Sequence, residues 1–365
     1  MQLDMHYYGV YALARTAGLK PKTCQIIATA SQFVDDNVAN INLEFQDGGR
    51  IDAEATAHHI SDILVLRDPQ DQRQIWVPFH FFPGNEGDSF SERLICRKDS
   101  KLAQAMVNNH LEYAKEDFGP HLIGITAHIY ADTFSHYGFS GVGSRRNRVI
   151  GNSIKFDQEL EPDFSEKLKE KENEFFRKFG QGGGFIANMK SWLAETVSGA
   201  LGHGAVATYP DRPYLKWSFA YEYPKNRRKE RIERDNPKTF LEGSQALHQM
   251  FTQFGKLNKK HSNNDGLMFK TIKNEVARII SMPAWKEDRI KEWKTACSNG
   301  LLGNLKFNIP NYDPEKWLQK AAEIKLGKDS KKALTSDLFR FYQAASINRQ
   351  FVLRELFPEC GLIVA

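Results

Sequence analysis

Residues 124–141 read GITAHIYADTFSHYGFSG, and the placing of three ionisable groups in this stretch decides what kind of fold the chain needs. Residues four apart on an α-helix sit one turn above each other, so His128, Asp132 and His136 form one polar stripe. Leu122, Ile123, Ile125, Ile129 and Phe134 surround that stripe with apolar side chains. Burying imidazoles and a carboxylate among such groups is costly unless each is paired or bound to a cation. Imidazole nitrogen and carboxylate oxygen are the usual divalent-metal ligands outside thiolate sites, so the stripe points to metal binding.

One helix face holds too few ligands to close a metal site, and other segments must supply the rest. The candidates are His6 near the start of the first helix, Asp35 and Asp36 at the end of SQFVDD, His58 beside His59, and His80 within PFHFFPG. GHGAVATYPDRP (residues 202–213) adds His203 and Asp211, with glycines on both sides of the histidine allowing close backbone approach. Of the 11 histidines, only His248 and His261 follow His203, so the candidate chemistry is confined to the N-terminal part.

Helical punctuation dominates the chain. Gly18 closes a first apolar-periodic segment and Pro21 opens a second, and further helices are predicted at about 99–117, 120–137, 163–179 and 185–201. QGGG at 181–184 separates the last two and lacks the GK[ST] ending of a phosphate-binding loop. Between about 40 and 95, NINLEFQDGGRID reads as a hairpin and the aromatic QIWVPFHFFPGNEGD as loop. Beyond about 236 the chain is again helical, with Trp285, Trp293 and Trp317 as core anchors. The expected fold is mainly α, a multi-helix metallohydrolase-like core with a small β/loop insertion. A metal-binding helical catalytic domain spans 1–224 and a C-terminal helical region 225–365.

Composition narrows the function classes. With 41% hydrophobic and 12% aromatic residues the chain is an ordinary globular one. Four scattered cysteines form no CxxC pair, which argues against a thiolate zinc site or a disulfide framework and fits a reducing compartment. No run has the length and apolarity of a signal peptide or a membrane span, so a cytoplasmic protein is expected, with leaderless export as the alternative. Much of the net charge of +5 sits in KNRRKERIER (225–234), which reads as a solvated helix face or connector rather than a phosphate- or membrane-facing patch.

CQIIATASQFVDD (24–36) followed by LIGITAHIYADTFSH (122–136) resembles the zinc-dependent phospholipase C superfamily over roughly residues 1–215. With HYYG, PFHFFPG and GHG followed by PD, the pattern looks like a bacterial family allied to it. The resemblance implies a helix ending in aspartate, a later helix with HxxxD and a further histidine, and an early histidine ligand that His6 matches. Val34 stands where that family has proline, and His136 follows Asp132 by four residues rather than six. The family's histidine–glutamate pair for a third metal is missing, with His203 and Asp211 taken as substitutes, and the N-terminal amine is set aside as a ligand. Two zinc ions or a similar pair are therefore expected.

The implied activity is metal-assisted hydrolysis of a phosphate ester or phosphodiester, in a lipid, a nucleotide or a nucleic acid. His128 and Asp132 would hold metal, with Asp132 bridging, beside a second position formed by His136, His203 and Asp211. Asp35 or Asp36 would be general base. The alternatives are a single-strand nuclease that stacks bases on Trp76, Phe79, Phe81 and Phe82, and a non-catalytic metal-stabilised interaction protein. HD phosphohydrolases require an adjacent His-Asp pair, and the chain has none. Neither GxSxG nor a cysteine beside a histidine is present.

Overall fold

The structure, a computed structural model, describes residues 1–38, 42–58, 68–156, 166, 170, 201–224, 230–326 and 330–364. The helices expected at 163–179 and 185–201 (Glu166, Glu170 and Leu201 apart), the QGGG breaker, His59 and residues 225–229 of the basic decapeptide lie outside the described residues.

The protein is mainly α. A π-helical turn, Asp4–Gly9, runs into α1 (Val10–Thr16), and α2 spans Pro21–Asp36 with its proline at the first helical position, where the missing N–H costs nothing. α3 (Lys101–Glu112) is capped by the Ser100 hydroxyl, which accepts from the Ala103 amide at 3.1 Å. α4 (Gly119–His136) is the central element, with all 18 residues buried. The later helices α5 (Asn236–Leu257), α6 (Phe269–Ile280), α7 (Lys286–Asn299), α8 (Glu315–Leu326) and α9 (Asp337–Phe351) complete the fold. Among the described residues no helix is long and apolar enough to cross a membrane.

α4 is buried because α2, α3, α5 and α9 all pack on it. The closest approach is at Gly124, where a Cβ would lie 2.5 Å from both the Ala30 Cβ and the Ile27 carbonyl oxygen of α2. Absence of a side chain there lets α2 bring Asp35 to the polar stripe of α4. Residues on both sides of position 225 share one hydrophobic core, with Ile27, Ile125 and Phe134 in the same cluster as Phe251, Trp293 and Phe341. A buried ion pair joins the first helical turn to α7, Arg289 Nε donating to Asp4 Oδ2 at 2.5 Å.

Strands are short. β1 (Leu43–Glu44) and β2 (Arg50–Ile51) form an antiparallel hairpin with Leu43 opposite Ile51, its turn carrying Gly48 at φ 84°. β3 (Lys155–Phe156), β4 (Lys216–Phe219) and β5 (Ile232–Asp235) form an antiparallel sheet in that order. Two expectations are corrected here. The segment before His80 is helical through Pro69–Asp71, a π-helical turn Gln72–Trp76 and Val77–Phe79, because Asp68 caps Pro69 by accepting from the Gln70 amide.

The basic decapeptide, in its described half, runs into a strand rather than a helix, with Glu230, Arg231 and Glu233 exposed and Arg234 turned inward. Ile232–Arg234 lie in β5, and Arg234 is buried, donating to the Tyr137 carbonyl at 2.5 Å and to the Ser135 carbonyl and lying over the Tyr137 ring. Its guanidinium satisfies carbonyls at the C-terminus of α4, where a cation is favoured by the helix dipole.

Gly124→Ala tests the helix contact. An exposed helical glycine would gain about 1 kcal/mol from alanine. Here the added Cβ meets backbone and a second Cβ, so we expect a loss of about 1–3 kcal/mol in denaturant unfolding. A stabilised variant would show that α2 and α4 are not in close contact.

Candidate metal centre

The polar stripe of α4 meets four other segments at one end of the core. His6 comes from the π-helical turn, Asp35 from the last turn of α2, His80 from the end of the short helix after Asp68, and His203 and Asp211 from the loop 201–212. Their donor atoms gather in three groups that could hold a metal, His6 with Asp35 and His128, His80 with the same His128 and Asp132, and, separately, His136 with His203 and Asp211. Within each group the atoms lie inside 4.8 Å of one another. The cavity beside them, about 250 Å³, is walled by Trp76, Phe81, Leu201 and Ala207.

Orientation of the imidazoles follows from the backbone. His128 Nδ1 donates to the Ser31 carbonyl at 2.8 Å, His80 Nε2 to the Thr56 carbonyl at 2.8 Å, His136 Nδ1 to the His80 carbonyl at 2.8 Å, and His203 Nδ1 to the Ala207 carbonyl at 2.7 Å. A carbonyl oxygen only accepts, so each bond fixes the proton on that nitrogen and turns the other ring nitrogen inward. Inward, His128 Nε2 lies 3.3 Å from His80 Nδ1 and 3.2 Å from Asp132 Oδ2. His136 Nε2 and His203 Nε2 lie 3.0 and 3.4 Å from the two oxygens of Asp211. Ala207 adopts φ 47°, ψ −132°, a conformation that disfavours side-chain-bearing residues, and its carbonyl is the one that holds His203.

The charges match this geometry. Burial on its own would raise the Asp132 carboxyl, but His136, the Met1 amine, His128 and His6 hold it well below the usual range. Burial drives His80 down to about 3 and His203 down to about 4, so both are neutral at physiological pH. His128 moves the other way, since Asp132 and Asp35 outweigh the burial that would lower it. Burial lifts Asp35 to about 6, and its side chain keeps 34% exposure at the cavity wall.

Eight of the expected residues, His6, Asp35, His80, His128, Asp132, His136, His203 and Asp211, therefore converge. Two do not. Asp36 points away, exposed, and accepts from the Tyr312 hydroxyl at 2.6 Å. His58 lines the cavity but lies outside the three groups, its Nε2 2.6 Å from Asp71 Oδ1.

A further group was set aside on sequence grounds and belongs to the cluster. The Met1 amine is buried 2.6 Å from Asp132 Oδ1 and 3.2 Å from Asp211 Oδ1, brought there by the helical turn that Asp4 and Arg289 anchor. Burial opposes its charge, yet Asp132, Asp211 and Asp35 raise it to about 11. No spacing rule marks an amine as a site group.

The chain belongs to DUF6765, a family of unknown function, which it matches over residues 1–356. The match takes in the metal-centre residues together with α5–α9. No curated protein and no solved structure matches the chain.

The neutral histidines set a pH dependence for the metal-free protein. The unfolded chain takes up protons near pH 6.5 that folded His80 and His203 refuse until about 3 and 4, so stability falls as pH drops below about 6.5. Asp35, raised to about 6, works in the opposite direction and offsets part of the loss. Thermal melts in chelator should fall between pH 6.5 and 4, and His80→Asn should flatten the slope. A flat wild-type profile would mean that the imidazoles are not buried neutral.

Proposed function

We propose that this protein is a metal-dependent hydrolase of phosphate esters or phosphodiesters that holds a pair of divalent ions, zinc in the first instance, in keeping with the resemblance to the zinc-dependent phospholipase C superfamily. One observation carries the reading. Four imidazoles, those of His80, His128 and His136 buried and that of His203 half-buried, each give one N–H to a backbone carbonyl and aim the remaining nitrogen at carboxylates or at one another. Neutral His80 and His203 present lone pairs there, the form in which imidazole can coordinate a divalent ion. Backbone-anchored histidines converging with carboxylates are the form that metal ligands take.

On this reading His80, His128 and Asp132, with His6 and Asp35 adjoining, hold one ion, and His136, His203 and Asp211 hold the other. Nitrogen and carboxylate donors without thiolate suit zinc and comparable divalent ions. Bound there, such ions polarise a phosphoryl oxygen and acidify a water. The protein's own groups do the rest. Asp35, lifted to about 6 and open to the cavity, accepts a proton from the attacking water. Trp76 and Phe81 keep the space apolar.

The cavity favours catalysis over a purely structural role, because structural zinc sites are closed. Of the four aromatics that a nuclease would use for stacking, Trp76 and Phe81 line the cavity, whereas Phe79 and Phe82 are packed in the core.

Metal analysis tests the reading directly. His128→Ala and Asp132→Asn should each lose about one metal equivalent or more, lower the melting temperature and reduce phosphoesterase activity by about 100-fold or more, because metal binding is coupled to folding. His261→Ala, whose ring meets Thr23 on the far side of α2, should keep its metal. Full metal content in both site variants would overturn the proposal.

A further inference from the structure

Four histidines line the cavity, and one is held differently from the rest. His80, His136 and His203 each rest one nitrogen on a backbone carbonyl. His58 instead has Nε2 2.6 Å from the Asp71 carboxylate, at 15% side-chain exposure against 12% for the aspartate. The difference is chemical. A carbonyl fixes one neutral tautomer suited to metal, whereas a carboxylate orients an imidazole so that its other nitrogen can pass a proton on.

Asp71 is placed for this task. It ends the short helix Pro69–Asp71, immediately before the turn that delivers Trp76 and His80 to the cavity. Its second oxygen is buried with no hydrogen-bond partner among the described residues. Among the described residues, Asp68 and Arg349 also act on its charge, and Arg349 is engaged by Glu54 and the Ala55 carbonyl. His58 is thus the partner of Asp71, and the pair stands apart from the metal cluster while sharing its cavity.

We propose that the His58–Asp71 pair is the proton donor to the leaving group, and that the substrates are alkyl phosphate esters, in which an alkoxide must be protonated as it departs. This rests on the metallohydrolase reading. The water oxygen forms the new P–O bond and its proton passes to Asp35. The P–O bond to the leaving group breaks, the electron pair stays on the leaving oxygen, and that oxygen takes the proton from His58. Solvent exchange returns a proton to His58 and removes one from Asp35, so the cycle balances. A p-nitrophenolate leaves without such help, and an alkoxide does not.

The test compares leaving groups in metal-loaded full-length protein with its metal content measured. Probes are bis(p-nitrophenyl) phosphate as the aryl ester, and a dinucleoside monophosphate, glycerol 1-phosphate and a short-chain phosphatidylcholine as alkyl esters. His58→Gln and, independently, Asp71→Asn should lower kcat/KM on the cleaved alkyl ester about 100-fold more than on the aryl ester, with metal content retained. Equal losses on both ester types, or loss of a metal equivalent in His58→Gln, would overturn the proton-donor role and leave the hydrolase reading standing. A wild type that cleaves only the aryl ester overturns the substrate class. Failure of the metal-loaded wild type on every ester overturns the hydrolase reading and this inference together. If His58→Gln does not fold, the Asp71→Asn comparison decides.

Discussion

The rest of the structure depends on burying the Asp132 carboxylate in the middle of an apolar helix. An unpaired ion at such a position would cost several kcal/mol. It is met from three directions, by His128 and His136 on its own helix, by His6, and by the Met1 amine. Each partner is itself buried, so each needs a fixed place, and the surrounding helices are arranged to give it one. Gly124 permits the close contact of α2 and α4 that brings Asp35 in, and Arg234 ties down the carbonyls where α4 ends.

Positions of the imidazoles are set by main chain more than by neighbouring side chains. The acceptors are the carbonyls of Ser31, Thr56, His80 and Ala207, on four separate stretches. Residue 56 is held in turn by α2, since the Thr56 hydroxyl donates to the Val34 carbonyl at 2.8 Å and the Asn37 side chain donates to the Glu54 carbonyl at 2.6 Å. Because backbone carbonyls cannot rotate independently of the fold, the tautomers are determined once the helices pack. That preorganisation leaves the ligand nitrogens little freedom to lose when an ion binds.

This division explains what could be read from the chain alone. The stripe of α4 was legible because helical spacing places residues four apart on one face, and the mainly α character followed from the same periodicity. Helical phase also separates the two aspartates, for Cys24, Ile27, Ala28, Ser31 and Val34 are all buried on one side of α2 and Asp35 continues that side while Asp36 is turned away. Taking both aspartates together overlooked that phase. The pairing of His58 with Asp71 was not legible, because Asp71, 13 positions later on another short helix, bears no spacing relation to it. Arg234 was hidden in a run of charges whose composition suggested solvent, and only strand pairing with Trp217 fixes its side toward α4.

The half of the chain poor in histidine is accordingly part of the centre's construction. Arg289 of α7 holds Asp4, and Asp4 begins the turn that carries His6 to Asp132. Arg234 of β5 holds the end of α4 next to His136, and Arg349 of α9 holds Glu54 and the Ala55 carbonyl beside the loop that anchors His80. Three buried or half-buried cations from beyond residue 230 thus each secure a segment that delivers a different histidine of the cluster. An excess of basic side chains that looks like surface charge in sequence is spent on fixing backbone. Removing α7 and α9 would release the supports of His6 and His80 together, so these side chains need the C-terminal helices to converge with the stripe of α4.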